Sequence, residues 1–125
     1  YRAGKILIAV GGAPQFIDIP GMKDHAISSN EALDLREMPK KIAIYGSGYI
    51  ALEFAGIFNG LGANVTLVYR GEEILRGFDG DIRTHVQEEM VKKGIDVQTG
   101  SVTQSGPPEI SESDPSLFKN EDGTC

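Results

Sequence analysis

The sequence predicts an α/β fold with three layers, in which a βαβαβ unit forms a parallel sheet that the chain leaves incomplete. Three observations lead to this prediction. A short apolar run, KIAIY at residues 41–45, has no polar alternation and is typical of a strand buried on both faces. A glycine-rich turn follows it, and then a long apolar helical pattern. Two further apolar runs, separated by a second helical pattern, complete the unit, and right-handed crossovers make its three strands parallel.

The turn after the first strand has the pattern G-x-G-x-x-A, formed by Gly46, Gly48 and Ala51. The first glycine permits a tight turn, the second lets a pyrophosphate approach the backbone, and the small third residue lets helix and strand pack closely. Phosphate oxygens would then bind free N–H groups at the start of the helix. We therefore predict a Rossmann-like dinucleotide site that includes Ser47. The alternative is a βαβ unit that binds nothing.

The remaining elements of the unit follow from helical and strand periodicity. The first helix is predicted from about Gly48 to Leu61, with apolar residues almost all around it, so that neighbours should cover most of its surface. Gly62 is predicted to be its left-handed cap, and Asn64 to Tyr69 the second strand. The second helix is predicted over Asp81 to Lys93 and the third strand over Ile95 to Gln98. Three apolar residues share one stripe of the second helix: Ile82, Val86 and Met90.

The end of the second strand determines which nicotinamide cofactor is expected. A site for NAD usually carries an acidic residue roughly 20 positions beyond the glycines, where it binds the ribose hydroxyls. Here the strand ends in Tyr69 and Arg70. Arg70 and Arg76 can instead bind a 2′-phosphate, because guanidinium groups form bidentate hydrogen bonds with phosphate oxygens. We therefore predict NADPH, although Glu72 and Glu73 argue against it and both arginines could be ordinary surface residues.

At residues 46–79 the sequence, GSGYIALEFAGIFNGLGANVTLVYRGEEILRGFD, resembles the NADPH-binding domain of the glutathione reductases, within the flavin-dependent disulfide reductases. The resemblance implies that Tyr49 is a mobile tyrosine on the nicotinamide side of FAD and that Ile50 and Glu53 lie near the nicotinamide. It also implies that Arg70 and Arg76 hold the 2′-phosphate. The residues alone are equally compatible with Tyr49 as a packing aromatic and Glu53 as an acid near the start of a helix.

The N-terminal part is predicted to be the end of an FAD-binding domain and a crossover, residues 1–24, followed by the NADPH domain at 25–99. Lys5 to Val10 reads as a buried strand, and by the resemblance the following Gly11 would lie close to the flavin. His25 to Ile27 is predicted to be a short edge strand, and Ser28 to Leu35 a helix with a capping box. Residues 100–125 are rich in Ser, Pro, Gly and acids and are predicted to form an incomplete antiparallel meander or a disordered tail.

Composition limits the possible functions of the 125-residue chain. A net charge of −6 makes general affinity for nucleic acid or acidic membrane surfaces unexpected, and no apolar run approaches the ~20 residues of a membrane span. Cys125 is the single cysteine, so an internal disulfide or a cysteine metal site is not expected. A cytoplasmic location is predicted, with no metal.

By the resemblance, the intact protein is expected to pass hydride from NADPH to FAD and then to a cysteine pair that reduces glutathione disulfide, as a homodimer formed through a C-terminal domain. The cysteine pair and a second glycine fingerprint for FAD are missing from this sequence, so the chain is expected to be an inactive fragment. Two alternatives remain open. One is another reductase of the same group, acting on trypanothione, mercuric ion or lipoamide. The other is a free-standing nucleotide-binding module without catalysis.

Overall fold

The computed structural model describes residues 1–18 and 20–100, and the predicted C-terminal tail from residue 101 onward lies outside this range. Within the described ranges the chain forms four helices and three strands. In chain order they are α1 (Met22–His25), α2 (Ser29–Ala32), β1 (Lys41–Tyr45), α3 (Tyr49–Gly60), β2 (Asn64–Tyr69), α4 (Gly80–Lys92) and β3 (Asp96–Thr99). None of these helices has the length and apolar character needed to cross a membrane.

The three strands form one parallel sheet in the order β1-β2-β3, as predicted. Ile44 of β1 lies opposite Leu67 of β2, which in turn lies opposite Val97 of β3. The chain passes from β1 to β2 and from β2 to β3 in the same direction across the sheet. Two crossovers of the same hand therefore place α3 and α4 on the same face of the sheet. The carboxyl ends of all three strands therefore meet at one edge, from which both helices begin.

The core lies between the sheet and the two long helices. It is a single cluster, with Leu67 of β2 and Ile74 of the following loop fully buried at its centre. The other members of the cluster come from α3, α4 and the segments that join them: Ala55, Phe58, Ala63, Val65, Leu75, Met90 and Ile95. The described residues thus form two of the three predicted layers, helices on sheet.

Exposure of the opposite sheet face corrects the prediction that β1 is buried on both sides. Its residues alternate between exposed and half-buried, and the Tyr45 side chain is 38% exposed. Only one side of α3 packs on the core, and Ile57 and Leu61 are exposed although the sequence predicts cover on most sides. Ile82 of the predicted α4 stripe is also exposed, so only Val86 and Met90 of that stripe pack on the core.

Local signals at the helix ends predict the boundaries well. Gly62, after α3, and Gly94, after α4, both have left-handed φ angles, of 95° and 88°. An L-residue would be strained there, and glycine is not. The two long helices and β3 differ from their predicted bounds by one residue at each end, and β1 and β2 have the predicted bounds.

The N-terminal predictions fare less well. The predicted strand at Lys5 to Val10 is wrong, since these residues have no regular structure and the Leu7 side chain is 90% exposed. A strand needs a neighbour for its backbone hydrogen bonds, and no strand of residues 1–18 or 20–100 pairs with it. The edge strand predicted at His25 to Ile27 is also wrong, because His25 ends helix α1. The helix predicted from Ser28 is present but ends at Ala32.

The capping box at the start of α2 is confirmed and predicts a pH dependence. The Ser28 hydroxyl and backbone N–H both donate to the Glu31 carboxylate, which lowers the pKa of Glu31. A lowered folded-state pKa means that the cap stabilises α2 fully above the ordinary Glu value of about 4.3 and loses this contribution as pH falls through the lowered pKa.

We expect Ser28→Ala to raise the pKa of Glu31 in an NMR titration, because the variant loses the hydroxyl that donates to the carboxylate. Ser29→Ala, which leaves the capping contacts in place, is the control; an equal rise there would exclude the capping explanation.

Candidate functional site

The glycine turn lies at the carboxyl edge of the sheet, between β1 and α3. The Gly46 N–H donates to the Val68 carbonyl oxygen at 3.0 Å, which continues the β1–β2 ladder into the turn. Gly46 has a φ of 141°, a conformation that side chains rarely adopt. The turn therefore depends on glycine at this position, as the sequence predicts, and it lies beside the end of β2.

Gly48 occupies the N-cap position of α3 and leaves open space in front of the helix. A Cβ atom built on Gly48 would meet no atom within 4 Å among the described residues. Gly48 has no side chain to accept from the first N–H groups of the helix, and the first helical bond runs from the Leu52 N–H to the Gly48 carbonyl. Free backbone donors, the positive end of the helix dipole and an open approach together can bind an anionic group.

The loop from Arg70 to Gly77 joins β2 to α4 and is bonded directly to the glycine turn. The Leu75 N–H donates to the Ser47 carbonyl oxygen at 2.8 Å, and Leu75 is the only non-glycine among the described residues with a positive φ, 53°. The Ile74 side chain next to it is fully buried. At the other end of the loop, the Gly100 N–H donates to the Gly71 carbonyl at 2.8 Å. These contacts give the loop a defined course beside the turn.

The two predicted phosphate-binding arginines lie at the two ends of this loop. Both side chains are exposed, and neither guanidinium is hydrogen-bonded or ion-paired to another of the described residues. Arg76 lines a shallow pocket of about 350 Å³ beyond the end of β2, together with Tyr69, Gly71, Glu72, Glu73 and Arg83. Arg70 does not line this pocket. In the structure Arg76 therefore lies at a concave surface, whereas Arg70 lies outside it, directly after the end of β2.

The residues predicted to lie near the nicotinamide occupy the exposed side of the first turns of α3. Tyr49 is 60% exposed and Ile50 48%, and Glu53 follows on the same side. Ala51 is half-buried, with its Cβ placed 3.5 Å from a Cβ built on Gly46, as close packing of turn and helix requires. Gly11 lies apart, in the exposed N-terminal segment with no regular structure. Binding roles for all of these residues stay predictions.

Sequence reasoning missed Arg83, which lies in the second turn of α4. Its guanidinium binds the loop at the Glu73 carboxylate and at the Ile74 carbonyl oxygen, each at 2.8 Å. One signal was available in the sequence: a cation near the positive end of a helix is electrostatically unfavourable unless another group compensates it. Sequence reasoning also missed Tyr69 as a residue that lines the pocket. The Tyr69 ring lies so close to Gly71 that a Cβ atom built on Gly71 would be 2.5 Å from the ring.

Within residues 1–18 and 20–100, no group of histidine, cysteine or acidic side chains could hold a metal ion. The two acidic residues of the loop, Glu72 and Glu73, differ in their contacts. Glu73 forms the ion pair with Arg83, whereas Glu72 is exposed on the pocket rim. The site thus consists of backbone donors at the glycine turn and cationic side chains beyond β2, an arrangement suited to a ligand with phosphates at separate positions.

Comparison with known proteins agrees with this geometry. The family model for pyridine nucleotide-disulphide oxidoreductases matches residues 1–124. A glutathione reductase from Nostoc sp. is 57% identical over 95 residues, which is 76% of this chain and 20% of that protein. A trypanothione reductase from Trypanosoma congolense is 48% identical over 101 residues, or 78% of this chain and 20% of its own length. The chain thus spans about a fifth of the curated relatives it matches.

Among solved structures, the HOCl-induced flavoprotein disulfide reductase RclA from Escherichia coli is similar, with a TM-score of 0.70 and 28% identity. The match covers 75% of this chain and 22% of that one. In both the sequence and the structure comparison, this chain corresponds to about a fifth of a longer protein.

Proposed function

Because the chain belongs to the pyridine nucleotide-disulphide oxidoreductase family, we propose that it is the NADPH-binding part of a flavin-dependent disulfide reductase. In this proposal residues 25–99 bind the nucleotide, and residues 1–24 lead in from the flavin-binding domain. Glutathione disulfide is the proposed substrate of the longer enzyme, on the strength of the glutathione reductase relatives. A homodimer formed through a C-terminal domain is proposed with it.

The nucleotide assignment rests mainly on one observation, that a hydrogen bond joins the glycine turn to the 70–77 loop. Gly48 leaves room for a pyrophosphate at the start of α3, and the Leu75–Ser47 hydrogen bond places the arginine-bearing loop beside it. A dinucleotide with a 2′-phosphate needs anion-binding groups at both positions. No acid follows β2 directly to bind the ribose hydroxyls that identify NAD, since Arg70 stands there.

When bound, the dihydronicotinamide supplies a hydride for the flavin. This chain's residues would bind the pyrophosphate through the backbone at Gly46 to Gly48 and the 2′-phosphate through Arg76 and Arg70. Tyr49, Ile50 and Glu53 would flank the nicotinamide end. The described part of the N-terminal segment, residues 1–18, is exposed and contains no glycine turn between a strand and a helix, so we derive no step through FAD from these residues.

Equilibrium binding of NADPH and of NADH to the 125-residue chain, at two salt concentrations, tests the proposal. We expect NADPH to bind at least about tenfold more tightly, because its extra phosphate makes charge-assisted hydrogen bonds, each contributing about 1.5–3 kcal/mol. This preference should shrink as salt screens the exposed arginines. Equal affinity for the two cofactors at low salt would exclude the 2′-phosphate assignment.

Trypanothione disulfide is the second candidate substrate, because two curated relatives at 43% and 48% identity are trypanothione reductases. The two disulfides can be told apart by comparing reduction rates in the longer enzyme. A higher kcat/KM for trypanothione disulfide would replace the glutathione assignment and leave the nucleotide assignment intact.

A further inference from the structure

One side chain of α4 holds the middle of the arginine-bearing loop. Arg83 donates from Nε to the Ile74 carbonyl oxygen at 2.8 Å and from Nη2 to the Glu73 carbonyl oxygen at 3.3 Å. The same Nη2 lies 2.8 Å from the Glu73 carboxylate. Only 22% of the Arg83 side chain is exposed, against 52% for Glu73. The planar guanidinium thus binds two consecutive residues through both backbone and side chain, which a lysine could not do.

These contacts fall between the two candidate phosphate-binding residues. Ile74 is two positions before Arg76, and Leu75 between them is the residue bonded to Ser47 of the glycine turn. The loop is therefore fixed from two sides, by the turn through Leu75 and by α4 through Arg83. Release of the second anchor would let the backbone that carries Arg76 move relative to the turn.

Arg83 also compensates one of the two carboxylates that line the pocket, that of Glu73, whereas Glu72 stays exposed there. Glu73, Arg76 and Arg83 all line the concave surface beyond β2. A carboxylate without a partner there would repel a phosphate dianion, and the ion pair with Arg83 compensates the charge of Glu73.

We propose that Arg83 is a positioning residue for recognition of the 2′-phosphate, which it supports by anchoring Glu73–Ile74 and by compensating the Glu73 carboxylate. This inference rests on the proposed NADPH function. The helix dipole gives no stabilising reason for the residue, because cations are favoured at the carboxyl end of a helix and Arg83 lies near the amino end of α4. Its contacts lie outside the helix, nine and ten residues back along the chain.

The test is binding of NADPH and NADH to the Arg83→Met chain by calorimetry. We expect the NADPH dissociation constant to rise about tenfold and that for NADH to change by less than about twofold. Arg83→Lys, which keeps the charge without the planar fork, should give an intermediate loss. Adding Glu73→Gln to Arg83→Met should restore part of the affinity, and the double-mutant cycle separates charge compensation from anchoring.

Lys92→Met is the matched control. It removes a cation from the opposite end of the same helix, where Lys92 pairs with Glu89 at 2.7 Å, and should leave the cofactor preference unchanged. Hydrogen exchange of residues 71–76, measured without cofactor, should accelerate in Arg83→Met and not in Lys92→Met. This second measurement depends only on the loop.

The outcomes are distinguishable. If the unmodified chain prefers NADPH and Arg83→Met keeps that preference, the positioning role is wrong and the proposed function stands. Equal losses for NADPH and NADH would mean that Arg83 acts on general stability, and unchanged exchange at 71–76 would exclude anchoring. If the unmodified chain shows no preference, the proposed function itself is wrong, and with it the role of Arg83 in phosphate recognition.

Discussion

Replacing Arg76 and Arg70 by methionine is expected to weaken NADPH binding by roughly 10- to 100-fold for each arginine and to leave NADH binding within about twofold. Each guanidinium would make charge-assisted hydrogen bonds to the 2′-phosphate, a group that NADH lacks. We expect the larger loss at Arg76, because it lines the pocket beyond β2 and Arg70 does not. Titration calorimetry with both cofactors measures the effect.

Arg36→Met provides a control with the same change of charge. Arg36 is exposed in the segment that leads into β1, and it is not among the residues that line the pocket beyond β2. It should alter neither affinity. Parallel losses of NADPH and NADH in the Arg70 and Arg76 variants would contradict 2′-phosphate recognition, since such losses would reflect the part common to both cofactors.

Gly48→Val is expected to reduce binding of NADPH and NADH alike, by on the order of 10- to 100-fold, while the chain still folds. The new Cβ atom would enter the open space in front of α3, where it meets no described atom within 4 Å, so the side chain is expected to obstruct a bound pyrophosphate without preventing folding. Gly48 has a φ of −75° and a ψ of 167°, which valine adopts without strain. Loss of glycine at the N-cap should cost at most about 1 kcal/mol of stability.

Gly56→Ala tests whether binding responds to the helix in general. Gly56 is exposed on the same helix, and a Cβ there would meet no described atom within 4 Å outside the neighbouring helix backbone, so alanine should stabilise the chain by about 0.5–1 kcal/mol and leave binding unchanged. Thermal unfolding without ligand measures the stability of both variants. Retention of full nucleotide affinity by Gly48→Val would place the pyrophosphate elsewhere.

Much of the fold could be predicted because its signals are local. The G-x-G-x-x-A turn, the apolar runs at β1 and β2 and the cap residues Gly62 and Gly94 each depend on neighbours within a few positions. Most of the predictions that failed concerned burial. Lys5 to Val10 is apolar enough for a buried strand, yet it is exposed because burial requires a partner that the local sequence does not specify.

The candidate site divides in the same way. Gly46 and Gly48 could be found from their spacing, because the turn needs left-handed or unobstructed backbone at those positions. Arg83 could not be tied to the loop from its spacing, since its partners Glu73 and Ile74 are ten and nine residues away, across the start of a helix.

The sequence by itself determined the order of strands and helices from β1 to β3, the parallel sheet and the glycine turn, because periodicity and backbone conformation are properties of short segments. The tertiary structure alone decided that the 70–77 loop lies against that turn through Leu75 and Ser47, and that Arg83 reaches back to Glu73. These contacts join residues that become neighbours only when the strands align and α4 packs on the sheet.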